Sequence, residues 1–296
     1  MTRCGVVAVV GAPNAGKSTL VNALVGQKVA IVSAKPQTTR TRLMGLAIQG
    51  EVQILLLDTP GIFDPRRRLD RAMVAAAWGG AQDADAIALV IDAETGFSQR
   101  IESMLDTLRA RSEPKVLVLN KVDISAKDAL LTLAAQLNDR VAFEATFMVS
   151  ATTGDGVRDL KTALAERMPE GPWLFPEDQV SDATDRMLAA EVTREQLYLQ
   201  LHAELPYDSA IETEKYEERK DGSVAIHQQI LVARPTQRAI VLGKAGARIK
   251  QIGAAAREEL SKLLDRKVHL FLHVKVKADW EDDRGLYREI GLDWVE

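Results

Sequence analysis

A chain of 296 residues, 46% hydrophobic and 27% charged, has the composition of a soluble globular protein long enough for two domains, each with its own core. No stretch is long enough to cross a bilayer, and the single cysteine, Cys4, excludes an intramolecular disulfide, so a cytoplasmic protein is expected. The net charge of −4 speaks against a nucleic-acid partner only as an average: residues 234–277 hold 11 Lys or Arg against 3 Asp or Glu, a local surplus of 8.

In chain order, residues 6–10 form an apolar run that leads directly into a glycine-rich loop without a small-residue cleavage site, and read as a first strand rather than a signal segment. Further strands are predicted at 52–57, 87–92, 115–120 and 146–149, with helical periods between them. Near-continuous apolar strands alternating with helices predict an α/β domain, a mostly parallel sheet covered by helices on both faces, over residues 1–170. Three prolines, a glycine and Trp173 between 169 and 176 stop the last helix and predict a linker at 171–181. From 182 to 296 the pattern becomes α+β: a helix at 184–203, strands at 208–218 and 223–232 joined around Asp221-Gly222, two helices flanking 243–246, and a strand at 268–276. Residues 279–296 are only weakly patterned.

The chemistry begins with Gly11-Ala12-Pro13-Asn14-Ala15-Gly16-Lys17-Ser18, followed by Thr19, which matches the phosphate loop G-x-x-x-x-G-K-[ST] between a strand and a helix. Glycines let backbone N–H groups surround phosphates, the helix N-terminus adds positive potential, Lys17 reaches the outer phosphates and Ser18 suits Mg2+. Asp58-Thr59-Pro60-Gly61 follows an apolar strand, so Asp58 emerges at the carboxyl end of the sheet, where it would hold Mg2+ through water and Gly61 would donate its N–H to the γ-phosphate. Taken alone, the tetrapeptide is also an ordinary turn. Asn120-Lys121-Val122-Asp123 selects the base: the Asp123 carboxylate can accept from both N1 and the exocyclic amine of guanine, and adenine lacks that donor pair. Asn120 would contact the other edge of the base and brace the loop, Lys121 would cover the ring face, and Ser150-Ala151 would add a backbone N–H to the guanine carbonyl.

Four signals in this order, each at a strand end, resemble the translation-factor class of GTPases. That resemblance makes Pro36-Gln37-Thr38-Thr39-Arg40 the first switch, with Thr39 meeting Mg2+ and the γ-phosphate in the GTP state. Catalytic roles then fall to Lys17, Thr39, Gly61 and Asn14. Ile62 stands where Ras-like proteins carry the water-orienting glutamine, which predicts slow intrinsic hydrolysis. Asn14 occupies the position where potassium-activated GTPases seat a monovalent cation, so either K+ assists the reaction or Asn14 only braces the loop.

In the second domain, Gly243-Lys244-Ala245-Gly246, followed by Arg248 and Lys250, resembles the G-x-x-G loop of a type II KH domain, set in an α-β-β-α-α-β order within the basic segment. Side-chain-free glycines admit an RNA backbone, and Lys244, Arg248 and Lys250 attract its phosphates. One phosphate loop, the Gln-Thr-Thr-Arg switch, Glu204-Leu205-Pro206-Tyr207 and the KH loop together resemble the Era family of bacterial ribosome-assembly GTPases over essentially the whole chain. The resemblance implies GTP and GDP with Mg2+ as ligands and binding near the 3′ end of small-subunit ribosomal RNA in the 30S precursor, with RNA rather than DNA as partner. It also implies a cytoplasmic protein with peripheral contact to the inner membrane. A KH GTPase acting on a transfer or messenger RNA, or a scaffold that hydrolysis only resets, are the alternatives; an ATP-dependent metabolic kinase fits Asp123 poorly. The run Arg66-Arg67-Arg68 is either a solvated loop or an RNA contact.

Overall fold

The computed structural model describes residues 1–296 except 41, 83, 202–204 and 296, and its chain separates into two compact units that divide between Asp182 and Ala183. Ala203, expected in a helix, and Glu204, one of the residues carrying the family resemblance, lie outside the described residues.

The first unit alternates β1 (Arg3–Gly11), α1 (Lys17–Val25), β2 (Leu43–Gln49), β3 (Val52–Asp58), α2 (Arg68–Gln82), β4 (Ala86–Asp92), α3 (Gln99–Arg109), β5 (Lys115–Asn120), α4 (Lys127–Asn138), β6 (Ala145–Val149) and α5 (Val157–Arg167). Among the described residues these strands form one sheet in the order β2-β3-β1-β4-β5-β6, parallel except for the β2–β3 hairpin. Strand alternation divides the core. Val7 and Val9 of β1 pack with Leu20, Leu24, Leu160 and Leu164 of α1 and α5, whereas Ala8 and Val10 pack with Ala77, Met104, Leu108 and Leu133 of α2, α3 and α4. Apolar burial on both faces is why these strands read as continuous hydrophobic runs.

Strand β2 was not among the predicted strands. Its signal lies in the turn: Gly50, at φ 60, reverses the chain between two strands that pair from Leu43↔Asp58 to Gln49↔Val52. The segment 171–181, expected as a linker, is laid against the first unit. Trp173 Nε1 donates to the Glu51 carbonyl at 3.1 Å, the Gln53 side chain exchanges hydrogen bonds with Leu174 and Phe175, and Leu46 N–H donates to the Val180 carbonyl at 2.8 Å. This strap satisfies edge groups of β2 that would otherwise invite pairing with another chain.

The second unit contains α6 (Asp185–Gln200), β7 (Ser209–Glu218), β8 (Val224–Val232), α7 (Pro235–Leu242), α8 (Ala247–Leu263), β9 (Val268–Val276) and α9 (Arg284–Glu289). Thr184 caps α6 by accepting from the Met187 N–H, which fixes the helix start one residue after the Thr. The sheet order is β7-β8-β9, antiparallel then parallel. Ile226, Ile230 and Val232 of β8 face Val192, Leu197, Val241, Ile252 and Leu260 of the three helices. Within that core Thr193 Oγ1 donates to Gln228 Oε1 at 2.6 Å and Gln228 Nε2 donates to Thr213 Oγ1 at 3.2 Å, so the buried amide is satisfied.

Candidate nucleotide site and nucleic-acid interface

β1 lies between β3 and β4, and the loop leaving it opens at the carboxyl edge of the sheet, where the topology makes a crevice. Gly11 and Gly16 hold φ 157 and 90, the second a left-handed N-cap to α1. A Cβ on Gly16 would stand 2.2 Å from Asn120 Nδ2, so only glycine fits beneath the base-reading loop.

Three predicted metal-side residues converge. Ser18 Oγ donates to Asp58 Oδ2 at 2.6 Å and lies 2.8 Å from Thr39 Oγ1, which donates to Asp58 Oδ2 at 3.4 Å. These oxygens come from α1, the 33–40 loop and the end of β3. Their hard, all-oxygen character fits Mg2+. The neighbouring Thr38 turns away: its hydroxyl donates to the Lys35 carbonyl at 2.7 Å and pairs with Ser33 Oγ at 2.7 Å. Both threonines border the cleft, but of the two only Thr39 meets Ser18 and Asp58. Gly61 is pressed against the phosphate loop, where a Cβ would meet Pro13 backbone at 2.7 Å, and Ile62 N–H donates to the Gly11 carbonyl at 3.0 Å. The Ile62 side chain is buried in the core and has no means of orienting a water. Thr59 Oγ1 donates to the Val9 carbonyl at 2.8 Å, tying the same loop to β1.

Lys17 is buried and folds over its own loop, donating to the carbonyls of Gly11 at 3.2 Å and Ala12 at 3.0 Å. Burial pushes its ammonium down to about 8, with the Asp58 carboxylate pulling the other way. Phosphate oxygens would favour the charged form, so the liganded state holds more protons than the free state at and above that pH. Nucleotide binding is therefore expected to take up protons at pH 8.5 and to weaken by roughly tenfold or more from pH 7.5 to 9.5, with little change between pH 7 and 7.5. Calorimetry in buffers of different ionisation enthalpy reads this directly; absence of proton uptake at pH 8.5 would contradict it.

At the other end of the cleft, Asn120 is buried at the end of β5. Its Nδ2 donates to the Ala15 carbonyl at 2.9 Å and its Oδ1 accepts from Ala151 N–H at 3.0 Å, clamping the phosphate loop to the Ser150-Ala151 loop. Of the two backbone N–H groups of Ser150-Ala151 from which one was expected at the guanine carbonyl, that of Ala151 is engaged by Asn120 and that of Ser150 by the Asp155 carbonyl at 2.9 Å. Ser150 is buried and accepts at Oγ from Thr153 N–H at 3.1 Å. Asp123 is exposed, and its carboxylate has no hydrogen-bond partner among the described residues, which leaves both oxygens available to a base. Lys121, at φ 67, forms a 2.6 Å ion pair with Asp92, the register partner of Asn120 on β4. Sequence reading missed Asp92, and also Asn22. The Asn22 side chain accepts from Val29 and Ala30 N–H and donates to the Ala30 carbonyl, fixing the chain that leads into the first switch. Asn14, at φ 64, donates from Nδ2 to the Ala34 carbonyl at 3.1 Å. Pro13, Asn14, Lys17, Ser18, Thr39 and Gly61 line one cleft.

In the second unit, Gly243 ends α7 at φ 70 with its N–H on the Ala239 carbonyl, and Ala245 and Gly246 follow at φ 51 and 76. Gly246 caps α8, whose N-terminus faces the loop. Lys244 and Lys250 are exposed, whereas Arg248 Nη1 donates to the Gln200 carbonyl at 2.5 Å and is partly occupied in holding α6 to α8. Alongside α8 runs a groove lined by Ile249, Lys250, Gly253, Arg257, Leu270 and Leu272, most of them beyond the predicted loop. The Arg66-Arg67-Arg68 run leads into α2, whose first residue is Arg68, and the Arg66 and Arg67 N–H groups donate to the buried Asp70 carboxylate at 3.1 and 3.0 Å.

Comparison with known proteins agrees with both units. Residues 6–121 match the family model described as 50S ribosome-binding GTPase, and residues 204–281 match the KH domain model. The chain is 60% identical to GTPase Era of Erythrobacter litoralis (strain HTCC2594), covering 100% of this chain and 98% of the relative. It is also 60% identical to GTPase Era of Rhizobium meliloti (strain 1021), covering 99% and 94%. Among solved structures it resembles Era in complex with MgGDPNP and nucleotides 1506–1542 of 16S ribosomal RNA, at 36% identity and TM-score 0.92, covering 98% of this chain and 99% of that one. A tyrosine-to-alanine variant of Aquifex aeolicus Era bound to GDP and aluminium fluoride matches at 36% identity and TM-score 0.93 over the same shares. With a phosphate-loop unit and a KH unit in one order, and relatives matched from end to end, the chain belongs to the Era family of GTPases.

Proposed function

We propose that the protein is a GTP-hydrolysing switch that binds the 3′ end of small-subunit ribosomal RNA through its KH unit and assists maturation of the 30S particle in the cytoplasm. The observation that carries the switch is the meeting of Ser18, Thr39 and Asp58 within 2.6 to 3.4 Å, because a cation bound by these oxygens would tie the 33–40 loop to α1 and to the end of β3. The relative bound to 16S RNA nucleotides supports the RNA reading.

Ser18 and Thr39 would ligate Mg2+, with Asp58 holding it through water, while Lys17 and backbone N–H groups from Asn14 to Thr19 cradle the phosphates. Mg2+ when bound neutralises charge on the β- and γ-phosphates. Gly61 N–H would face the γ-phosphate, so loss of that group would release the Thr39 and Gly61 loops. Asp123 would accept from guanine, with the Lys121 stem over the ring and Asn120 bracing the loops around it.

With Ile62 buried, hydrolysis lacks a glutamine, and K+ seated near Asn14 would supply positive charge to the transition state. Asn14 Nδ2 is committed to the Ala34 carbonyl, and its Oδ1, which has no hydrogen-bond partner among the described residues, is the right kind of atom for a cation. Replacing K+ by Na+ at constant ionic strength is expected to slow initial GTP hydrolysis by about tenfold or more. Equal rates in the two salts would make Asn14 a loop brace only. No described helix is long and apolar enough to cross a membrane, so any contact with the inner membrane would be peripheral.

A further inference from the structure

The outer face of the second unit's sheet, opposite α6, α7 and α8, carries side chains that the GTP site and the G-x-x-G loop leave unused. Ile226, Gln228 and Ile230 of β8 turn toward the helices and are buried, so His227 turns outward. Its register partner Phe271 on β9 stacks against it, with ring centroids 4.6 Å apart and planes 17° from parallel, while remaining 48% exposed. His269, His273 and Lys275 alternate with core-facing residues on the same face of β9, placing three of the chain's 4 histidines around one exposed phenylalanine. Because β9 is the sheet edge and Leu270, Phe271 and Leu272 also line the groove beside α8, that groove continues around the strand edge onto this face. The β7 half of the face is different: Glu212, Glu214 and Glu217 outnumber Lys215, and Glu214 is engaged by Gln229 Nε2 at 2.5 Å. A phosphate backbone would be repelled there and directed along β9.

We propose that the His227–Phe271 stack, flanked by His269, His273 and Lys275, is a second single-stranded RNA subsite that receives bases leaving the KH groove. The inference rests on the reading that the groove binds RNA. An exposed ring pre-ordered by a second ring offers a π-face to any base at little entropic cost, and Lys275 stands ready for the accompanying phosphate. A KH loop clamps about four nucleotides. A single strand that fills the groove therefore has neighbouring nucleotides free to follow the groove around the β9 edge.

Fluorescence anisotropy on the full-length chain tests this with two RNAs, a 3′-terminal small-subunit segment of about ten nucleotides and a piece of about four that fills the groove alone. His227→Leu removes the stacking partner without changing a residue that lines the groove, and is expected to weaken the longer RNA by about tenfold and leave the shorter one unchanged, with His227→Phe binding both as wild type does. The salt slope should stay constant in His227→Leu and fall by about one in Lys275→Gln. Wild-type affinity of His227→Leu for the longer RNA would overturn the proposal, and so would equal loss of both RNAs, which would make the stack a support of the groove. If His227→Leu binds both RNAs normally but no longer binds 30S particles, the face belongs to a protein partner instead. Failure of the wild type to bind either RNA would refute the groove reading itself, a result distinct from all of these.

Discussion

Asp123→Asn is expected to invert the base preference of the nucleotide site. The Asp123 carboxylate stands exposed beyond β5 with both oxygens uncommitted among the described residues, while Asn120 beside it is spent on clamping Ala15 and Ala151. Guanine presents two donors on the edge that Asp123 would accept; an amide in its place pairs one donor with another. Sites built to satisfy such groups reject mismatched partners by about 10⁴. Preference for GTP over XTP should therefore fall by about that factor, toward XTP, because xanthine offers a carbonyl where guanine has its amine. The exchange is isosteric and exposed, so stability should change by no more than about 0.5 kcal/mol. Competition between the two nucleotides measures the ratio, and an unchanged ratio would remove Asp123 from base reading.

Gly246→Asp is expected to abolish RNA binding while GTP binding persists. The two loop glycines differ. A Cβ on Gly243 would stand 2.6 Å from Arg248 Cβ, so a change there disturbs the start of α8, whereas a Cβ on Gly246 meets nothing within 4 Å. Asp at Gly246 must hold φ 76, a conformation that Asp tolerates better than most residues. It would place a carboxylate at the N-terminus of α8, in the path of the RNA backbone, with loss of about 10²-fold or more in affinity. The double variant Gly243→Asp, Gly246→Asp should lose binding too, but only Gly246→Asp separates charge from folding. Circular dichroism and thermal melting establish that the second unit is intact, and wild-type affinity with an unchanged salt slope in a folded Gly246→Asp protein would move the RNA site elsewhere.

The parts of the site legible in the sequence are those whose chemistry is local. Gly11 to Ser18 is readable because adjacent residues set a loop, a cap and a helix start in one stretch, and Asn120 to Asp123 because a strand end fixes where its residues emerge. Asp92 and Asn22 were not legible: the first matters only because parallel register puts it beside Asn120, the second because α1 turns it toward residues 29 and 30. The choice between Thr38 and Thr39 rested on register and needed the Ser33 and Lys35 partners of Thr38 to be seen. Strand β2 escaped because its alternation is weak and its identity comes from pairing with β3. Arg248, counted with the RNA contacts on charge alone, is partly occupied by the end of α6. The groove residues Gly253, Arg257, Leu270 and Leu272 lie on two elements that sequence separates and the sheet brings together.

Crosslinking the full-length protein to RNA in cells and sequencing what is bound tests the central claim most directly, that one chain joins a GTP switch to the 3′ end of small-subunit ribosomal RNA. Reads are expected to concentrate at that 3′ end with the wild-type protein and to disappear with Gly246→Asp. Reads spread over transfer or messenger RNAs, or a 3′-end peak that survives Gly246→Asp in a folded protein, would contradict it.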